Sequence, residues 1–170
     1  YLGTDSTWQT TDSPIIFNSI YTAEHYDAQK ELAGWDSPGF NATGWYHAQE
    51  TESPTETIKS QVMHPIRETA RYTATQCKKI NDSCYVYHFP QNIAGVTELK
   101  VKGKKGTKLH LKHGELLDKN GMVNMANIDY HYRPTDDSDP FQTDIVILSG
   151  KQDRFMPKFN YKGFQFVEVS

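Results

Sequence analysis

Trp35, Trp45 and Tyr46 are the residues in this chain whose chemistry best suits ligand binding. Each tryptophan directly follows a glycine, which places it beside a turn. The flat apolar face of an aromatic side chain packs well against the C–H face of a sugar ring and loses little entropy when it is ordered. These residues therefore predict a carbohydrate-binding surface on two loops. The competing interpretation is that both indoles anchor their loops onto the protein core.

Hydrolysis of a glycosidic bond would require a different set of residues. It needs two carboxyl groups across the sugar, roughly 5 to 9.5 Å apart. Glu24, Asp27 and Glu115 are the acids best placed for such a role, but nothing in the sequence pairs any two of them. We expect Glu115 to hydrogen-bond turn backbone and Asp27 to cap a neighbouring loop. We therefore predict that this chain holds no catalytic residue and is not itself an enzyme.

The candidate metal ligands are few and poorly spaced. His110 and His113 are three residues apart on or beside a predicted strand, a spacing that puts them on opposite faces. The acidic stretch 135–139 lacks the glycine and the distal glutamate of an EF-hand loop. The cysteines, Cys77 and Cys84, flank a polar loop and could either form a disulfide or remain separate thiols. We expect no bound metal.

Strands rather than helices must position these residues. Thr97, Leu99 and Val101 alternate with charged residues, a period of two that indicates a strand with one wet face, and Leu109 and Leu111 repeat the pattern. We interpret residues 102–107 as the hairpin connection between these two strands. The nearly apolar segment 144–148 predicts a strand covered on both faces.

Other segments complete the predicted strand series. A short strand is predicted at 15–17, and a strand with irregular ends is preferred over a helix for 24–32. The aromatic residues Phe159, Tyr161, Phe164 and Phe166 are assigned to the core, with a bend or bulge at Gly163. Short strands joined by turns predict an all-β fold, an antiparallel β-sandwich or jelly roll. One such domain is expected over 1–170, with 1–14 as an irregular lead-in.

Composition limits the classes of partner. The chain has 170 residues, a net charge of -3 and 36% apolar residues. Nothing in the charge suggests a nucleic-acid footprint, and no apolar run approaches the roughly 20 residues that span a bilayer. We expect neither nucleic acid nor membrane as a partner. Because the chain begins at Tyr1 and ends directly after a predicted strand, we interpret it as a fragment of a longer protein.

Several motifs resemble one known family. In chain order, EHYDAQKELAGWDSPGFNATGWYHA, the segment from Tyr85 to Ile128 and the ending FMPKFNYKGFQFVEV are similar to bacterial α-L-rhamnosidases of glycoside hydrolase family 78. The matching positions in the second of these segments are Phe89, Gln91, Asn92, Gly95, Gly103, Gly106, Thr107, Glu115, Leu117, Gly121 and Asn127. The resemblance covers roughly residues 15 to 170.

This resemblance implies an accessory role. In the family an (α/α)6 barrel follows this segment and carries the catalytic carboxylates, and nothing in this chain resembles that barrel. The resemblance implies a β-sandwich domain that packs on the catalytic domain of the same chain, with a rhamnose-containing glycan as a further partner. An extracytoplasmic location, periplasmic or secreted, is expected with it.

Some family members contain a related family-67 carbohydrate-binding module that holds L-rhamnose through calcium. The positions of its calcium ligands fall near Thr22 and Ala23, and neither residue supplies the carboxylate that calcium prefers. This departure disfavours calcium. The alternative to an accessory domain is therefore a stand-alone rhamnose-binding module without calcium. In either case the candidate carbohydrate-binding residues are Trp35, Trp45, Tyr46, Glu24 and Asp27.

Overall fold

The structure, a computed structural model, describes residues 3–129 and 138–170. The chain divides into two compact units. Unit 1 comprises Tyr1–Asp12 and Leu32–Arg71, and unit 2 comprises Ser13–Glu31 and Tyr72–Ser170. The expectation of one accessory domain over the whole chain stays a prediction.

Nearly all regular structure in the described residues is β-structure, which confirms the all-β prediction. The strands are β1 (Gln9–Thr10), β2 (Ile15–Asn18), β3 (Glu24–Asp27), β4 (Tyr46–His47), β5 (Gln76–Asn81), β6 (Cys84–Gly95), β7 (Leu99–Lys102), β8 (Lys108–Gly114), β9 (Leu116–Leu117), β10 (Val123–Asn124), β11 (Thr143–Ile147), β12 (Gln152–Phe155) and β13 (Lys162–Val169). A single turn of 3-10 helix follows β3 at Ala28–Lys30.

Unit 1 has little regular structure in its described residues. Its two-stranded sheet pairs β1 with β4, so that Thr10 lies opposite Tyr46. Gly34 and Gly44 both have positive φ, of 77° and 87°, a conformation that glycine adopts without steric cost. The turn glycines found in the sequence thus place Trp35 and Trp45 on loops, as predicted.

Unit 2 contains a seven-stranded sheet in the order β2-β3-β11-β8-β13-β6-β5. β3 and β11 are parallel, whereas the other neighbouring strands of this sheet are antiparallel, so the sheet is mixed. β11 lies inside the sheet and is buried along most of its length, which confirms the strand predicted to be covered on both faces.

One face of this sheet carries the hydrophobic core. The buried cluster consists of Leu111, Val146, Leu148, Phe155, Phe164 and Val167. Leu99 and Val101 of β7 pack against it, and Phe155 comes from β12, which pairs with β7. The β7–β12 ribbon therefore covers the large sheet, which confirms the predicted sandwich.

The expected hairpin between β7 and β8 is wrong. β7 pairs with β12, and β8 pairs with β11 and β13. The connection instead packs on the end of β11, where the Gly106 amide donates to the Leu148 carbonyl at 2.8 Å. A period of two assigns faces to a strand but not its partner, so the sequence could not separate the two pairings.

The carboxy-terminal aromatics divide between core and surface. Phe164 is fully buried in β13, as predicted, but Phe159 and Tyr161 are exposed. Phe159 and Tyr161 precede β13 and lie in a loop, so the alternation of side chains that points Phe164 into the core does not apply to them. The irregularity predicted at Gly163 lies between Phe164 and Phe166 instead.

The two cysteines are free thiols in this fold. β5 and β6 form a tight hairpin in which Cys77 lies opposite Tyr87, and Cys84 lies opposite Asn81. Since the cysteines are not cross-strand partners, the structure favours the interpretation of separate thiols over the disulfide.

In the part of the chain that the structure describes, no helix has the length and apolar character needed to cross a membrane.

The thiols provide a direct test of the β5–β6 register. Because Cys77 is exposed and Cys84 is buried, we expect a chromogenic thiol reagent to modify Cys77 in the folded protein and Cys84 only after denaturation. Replacing Cys77→Ser should abolish the reaction of the folded state and leave the reaction after denaturation. Unreduced protein that shows no reactive thiol even in denaturant would demonstrate a disulfide and contradict this register.

Candidate functional site

A buried cluster of ionisable residues lies at one end of the large sheet in unit 2. Asp144 of β11 and Lys162 of β13 are both buried, and the Lys162 Nζ donates to the Asp144 Oδ1 at 2.7 Å. The backbone amide of Glu24 in β3 donates to the same carboxylate oxygen at 2.9 Å. Asp144 thereby joins three strands that lie far apart in the sequence.

Glu24 extends the cluster toward the loop before β13. Its side chain is buried and accepts hydrogen bonds from the backbone amides of Lys158 at 3.1 Å and Phe159 at 3.3 Å. Burial raises the pKa of the Glu24 carboxyl, and the two amide donors oppose this rise. Glu24 therefore fixes a loop and does not face solvent.

His113 of β8 completes the cluster. Its Nδ1 donates to the Gln142 carbonyl at 3.1 Å, so its Nε2 accepts from the Thr97 hydroxyl at 2.8 Å. Burial lowers the pKa of the imidazole from 6.5 to about 4, although the Asp144 carboxylate opposes this shift. The imidazole is therefore neutral at physiological pH.

Lys162 carries the positive charge of the cluster. Burial lowers the pKa of its ammonium group, while the Asp144 carboxylate acts in the opposite direction. The ammonium also donates to the Asn160 Oδ1 at 2.7 Å. Lys162 thus links the buried carboxylate to a side chain of the preceding loop.

This arrangement is chemically unsuited to hydrolysis. Asp144 and Glu24 are neighbouring carboxyls, and one oxygen of each accepts two hydrogen bonds, from Lys162 and the Glu24 amide in the first case and from loop amides in the second. The other oxygen of Asp144 is buried without a hydrogen-bond partner among the described residues. Both carboxyls are buried, and a groove of about 500 Å³ in the described structure lies elsewhere, beside Lys112 and Val123. A sugar could not reach the two acids, so the cluster stabilises the fold and its loops.

The predicted aromatic residues belong to unit 1. Trp35 is 57% exposed and Tyr46 is 72% exposed, whereas Trp45 is half-buried with its ring 5.6 Å from the ring of Phe40. Trp45 thus packs against a neighbouring aromatic of unit 1, while Trp35 and Tyr46 present their rings to solvent. Their role in carbohydrate binding stays a prediction.

The predicted acidic residues lie in β3 of unit 2. Asp27 accepts a hydrogen bond from the Gln29 amide at 3.0 Å and caps the 3-10 turn, which confirms its capping role. Glu24 is occupied in the buried cluster. The structure therefore assigns both acids to backbone positioning in unit 2 and the three aromatics to unit 1.

Glu115 has different partners from those expected. It accepts from the side-chain amides of Asn92 at 3.0 Å and Asn127 at 3.2 Å, not from turn backbone. An added Cβ at Gly163 would lie 3.4 Å from the Glu115 Oε1. Motif residues that are distant in the sequence therefore converge on this carboxylate, a contact that no local pattern could predict.

The positions that correspond to the calcium ligands of the related binding module are Thr22 and Ala23. Thr22 and Ala23 are buried, so they offer no open ligand set. Within the described residues, no three His, Cys, Asp or Glu side chains are grouped so that they could hold a metal ion. Of the acidic stretch 135–139, residues 135–137 lie outside the described residues.

The sequence pattern did not predict that Asp144, Lys162 and His113 form a buried cluster, and it presented His113 only as a poorly spaced metal ligand. One signal was available: Asp144 begins the apolar run of β11, and a charged residue inside such a run needs a buried partner. The identity of that partner depends on strand order, which the sequence does not give.

Two protein-family models match the chain. The model described as the bacterial alpha-L-rhamnosidase concanavalin-like domain matches residues 78–170, and the model described as the alpha-L-rhamnosidase N-terminal domain matches residues 1–70. The change from one model to the other falls close to Tyr72, where the chain passes from unit 1 to unit 2.

Individual relatives agree with these matches. An alpha-L-rhamnosidase of Streptomyces avermitilis is 31% identical over 165 residues, and the match covers 96% of this chain but 15% of that protein. The solved alpha-L-rhamnosidase from Dictyoglumus thermophilum has a TM-score of 0.83 at 32% identity, covering 98% of this chain and 18% of that one. The Streptomyces avermitilis enzyme solved with L-rhamnose has a TM-score of 0.85 at 30% identity, covering 98% and 16%. The chain thus spans less than a fifth of each of these proteins.

The depressed pKa of His113 predicts that acid destabilises the fold. The unfolded chain binds a proton at His113 near pH 6.5, whereas the folded protein resists it down to about pH 4. The free energy of unfolding should therefore fall as the pH falls through this window, by about 1.4 kcal/mol per pH unit for this one site. Urea denaturation at several pH values measures this slope.

The variant His113→Gln should lose this part of the slope. A matched packing variant, Val86→Ala, removes buried methyl groups and should lower the whole curve by about 2 kcal/mol with its slope unchanged. An unaltered slope in His113→Gln would contradict the buried neutral imidazole.

Proposed function

Because this chain belongs to the bacterial alpha-L-rhamnosidase concanavalin-like domain family, we propose that it is the accessory β-sandwich region of an α-L-rhamnosidase-like glycoside hydrolase. The chain corresponds to a small, non-catalytic part of such proteins. In this proposal it packs on the catalytic domain of the same chain and shapes access to that domain.

The coverage of the relatives carries this proposal. The match extends over 96% of this chain but only 15% of the Streptomyces avermitilis protein, so most of such a protein lies outside the matched part. The buried acids support the same conclusion, since Asp144 and Glu24 serve as hydrogen-bond acceptors inside the fold. The hydrolytic carboxyls would then come from another domain.

Carbohydrate contact is the second candidate function. The exposed rings of Trp35 and Tyr46 favour it, because aromatic side chains that face solvent on loops suit the apolar face of a sugar. A relative was solved in complex with L-rhamnose, which makes this sugar the first ligand to test. In this version the chain is a calcium-independent rhamnose-binding module. For both candidate functions we propose an extracytoplasmic location, where rhamnose-containing glycans would be available to the protein.

Hydrolysis of an aryl α-L-rhamnoside tests the accessory role. We expect the 170-residue chain to release no aryl alcohol above the buffer rate, because the neighbouring acids Asp144 and Glu24 are buried, whereas the longer protein that contains it should turn the substrate over. Release of the aryl group is followed by absorbance in parallel samples. Turnover by the 170-residue chain would overturn the non-catalytic assignment, and an inactive longer protein would overturn the proposed parent activity.

Titration with L-rhamnose tests the second candidate. If the exposed rings bind sugar, tryptophan fluorescence should change at millimolar L-rhamnose, and Trp35→Ala or Tyr46→Ala should raise the Kd about tenfold through the loss of one stacking contact. Trp8→Ala is the matched control, since Trp8 is also an exposed tryptophan of unit 1. Equal Kd values in all three variants, or no spectral change, would exclude this site.

A further inference from the structure

Three large apolar side chains lie exposed at one edge of unit 2. Ile20 is 72% exposed in the turn between β2 and β3, and Phe159 and Tyr161 are 62% and 56% exposed in the loop before β13. We call these three residues the apolar platform. Isolated exposed apolar residues are common, but several on adjoining segments mark an interaction surface.

Hydrogen bonds hold the two segments of the platform together. The Asn160 Nδ2 donates to the Asn18 Oδ1 at 3.5 Å, which joins the loop to the end of β2. The Ser19 amide donates to the Ala23 carbonyl at 2.9 Å and closes the turn that carries Ile20. The exposed side chains therefore sit on defined backbone.

The buried ionisable cluster also fixes the loop before β13. The Glu24 carboxylate accepts from the amides of Lys158 and Phe159, and the Lys162 ammonium donates to the Asn160 Oδ1 at 2.7 Å. Phe159 is thus bonded directly to a buried carboxylate, and Tyr161 lies between Asn160 and Lys162, which bond to each other. Buried charges cost more free energy than apolar packing. Here they hold the loop in place, so the surface is ordered before it binds a partner.

The chemistry beside the platform favours protein over sugar. A sugar site requires polar groups that are available to its hydroxyls. Both the nitrogen and the oxygen of the Asn160 side-chain amide already form hydrogen bonds, and the Glu24 carboxylate is buried. An aliphatic and two aromatic side chains suit the apolar centre of a protein interface.

We propose that the apolar platform is the docking surface for the part of the parent protein that lies outside these 170 residues, and this proposal rests on the function proposed above. The relatives supply the reason for choosing this occupant. The solved Dictyoglumus thermophilum chain is matched over only 18% of its length, so a large remainder of the same polypeptide is present at high effective concentration beside this sandwich.

Hydroxyl-radical footprinting tests this proposal on intact proteins. Phe159 and Tyr161 should be oxidised readily in the 170-residue chain and about fivefold more slowly in the longer parent protein, because an interface core excludes water. Tyr46, exposed in unit 1, is the internal reference. Equal oxidation of Phe159 and Tyr161 in the two proteins would overturn the proposal. Protection that appears in the 170-residue chain as its concentration rises would show that a second copy is the occupant and would also overturn it.

A matched pair of substitutions tests the energetic role. Ile20→Ser combined with Phe159→Ser should lower the Tm of the parent by about 3 °C or more and leave that of the 170-residue chain nearly unchanged, since both side chains are exposed there. Ile58→Ser, at an exposed isoleucine of unit 1, should change neither Tm. Equal effects of the platform variant and the control in the parent would overturn the proposal.

The two proposals fail in different ways. A parent that hydrolyses an aryl α-L-rhamnoside but leaves the platform open to oxidation retains the proposed function and refutes the docking surface. A parent that protects the platform but hydrolyses no rhamnoside retains the docking surface and refutes the proposed activity.

Discussion

The buried ion pair between Asp144 and Lys162 is the contact on which much of unit 2 depends. Asp144 is fully buried in β11 and Lys162 is nearly so at the start of β13. Burying two charges costs less when each neutralises the other and further hydrogen bonds reach them. The Glu24 amide and the Asn160 side chain fill sites on the two partners, so the pair also fixes strand order and loop position.

This constraint explains why a chain with several inward-facing acids is not suited to catalysis. The carboxyls of Asp144 and Glu24 are neighbours, yet both are buried, and one oxygen of each accepts hydrogen bonds from an ammonium group or from backbone amides. A general acid or a nucleophile must instead be able to reach its substrate. These buried charges therefore serve the order of the fold, and both proposed surfaces consist of exposed side chains.

Some residues of the motifs shared with bacterial α-L-rhamnosidases also serve the order of the fold. Asn92, Glu115 and Asn127 belong to the segment through which the sequence resembles bacterial α-L-rhamnosidases, and they converge as one carboxylate between two amides. Their spacing in the sequence, 23 and 12 residues from Glu115, gives no indication of contact. The fold brings Asn92 of β6 near Glu115, which directly follows β8, because β6 and β8 both flank β13 in the large sheet.

The sequence by itself determined the all-β class, the strand character of β7, β8 and β11, the loop positions of Trp35 and Trp45, and the family resemblance. The class, the strands and the loops follow from local periodicity and turn chemistry, which act over a few residues, whereas the resemblance comes from motifs matched along the chain. Only the tertiary structure decided that β7 pairs with β12 and not with β8, that Cys77 faces Tyr87, and that Phe159 and Tyr161 face solvent. The physical reason is that strand pairing and burial depend on which distant segments meet, and a period of two is compatible with several partners.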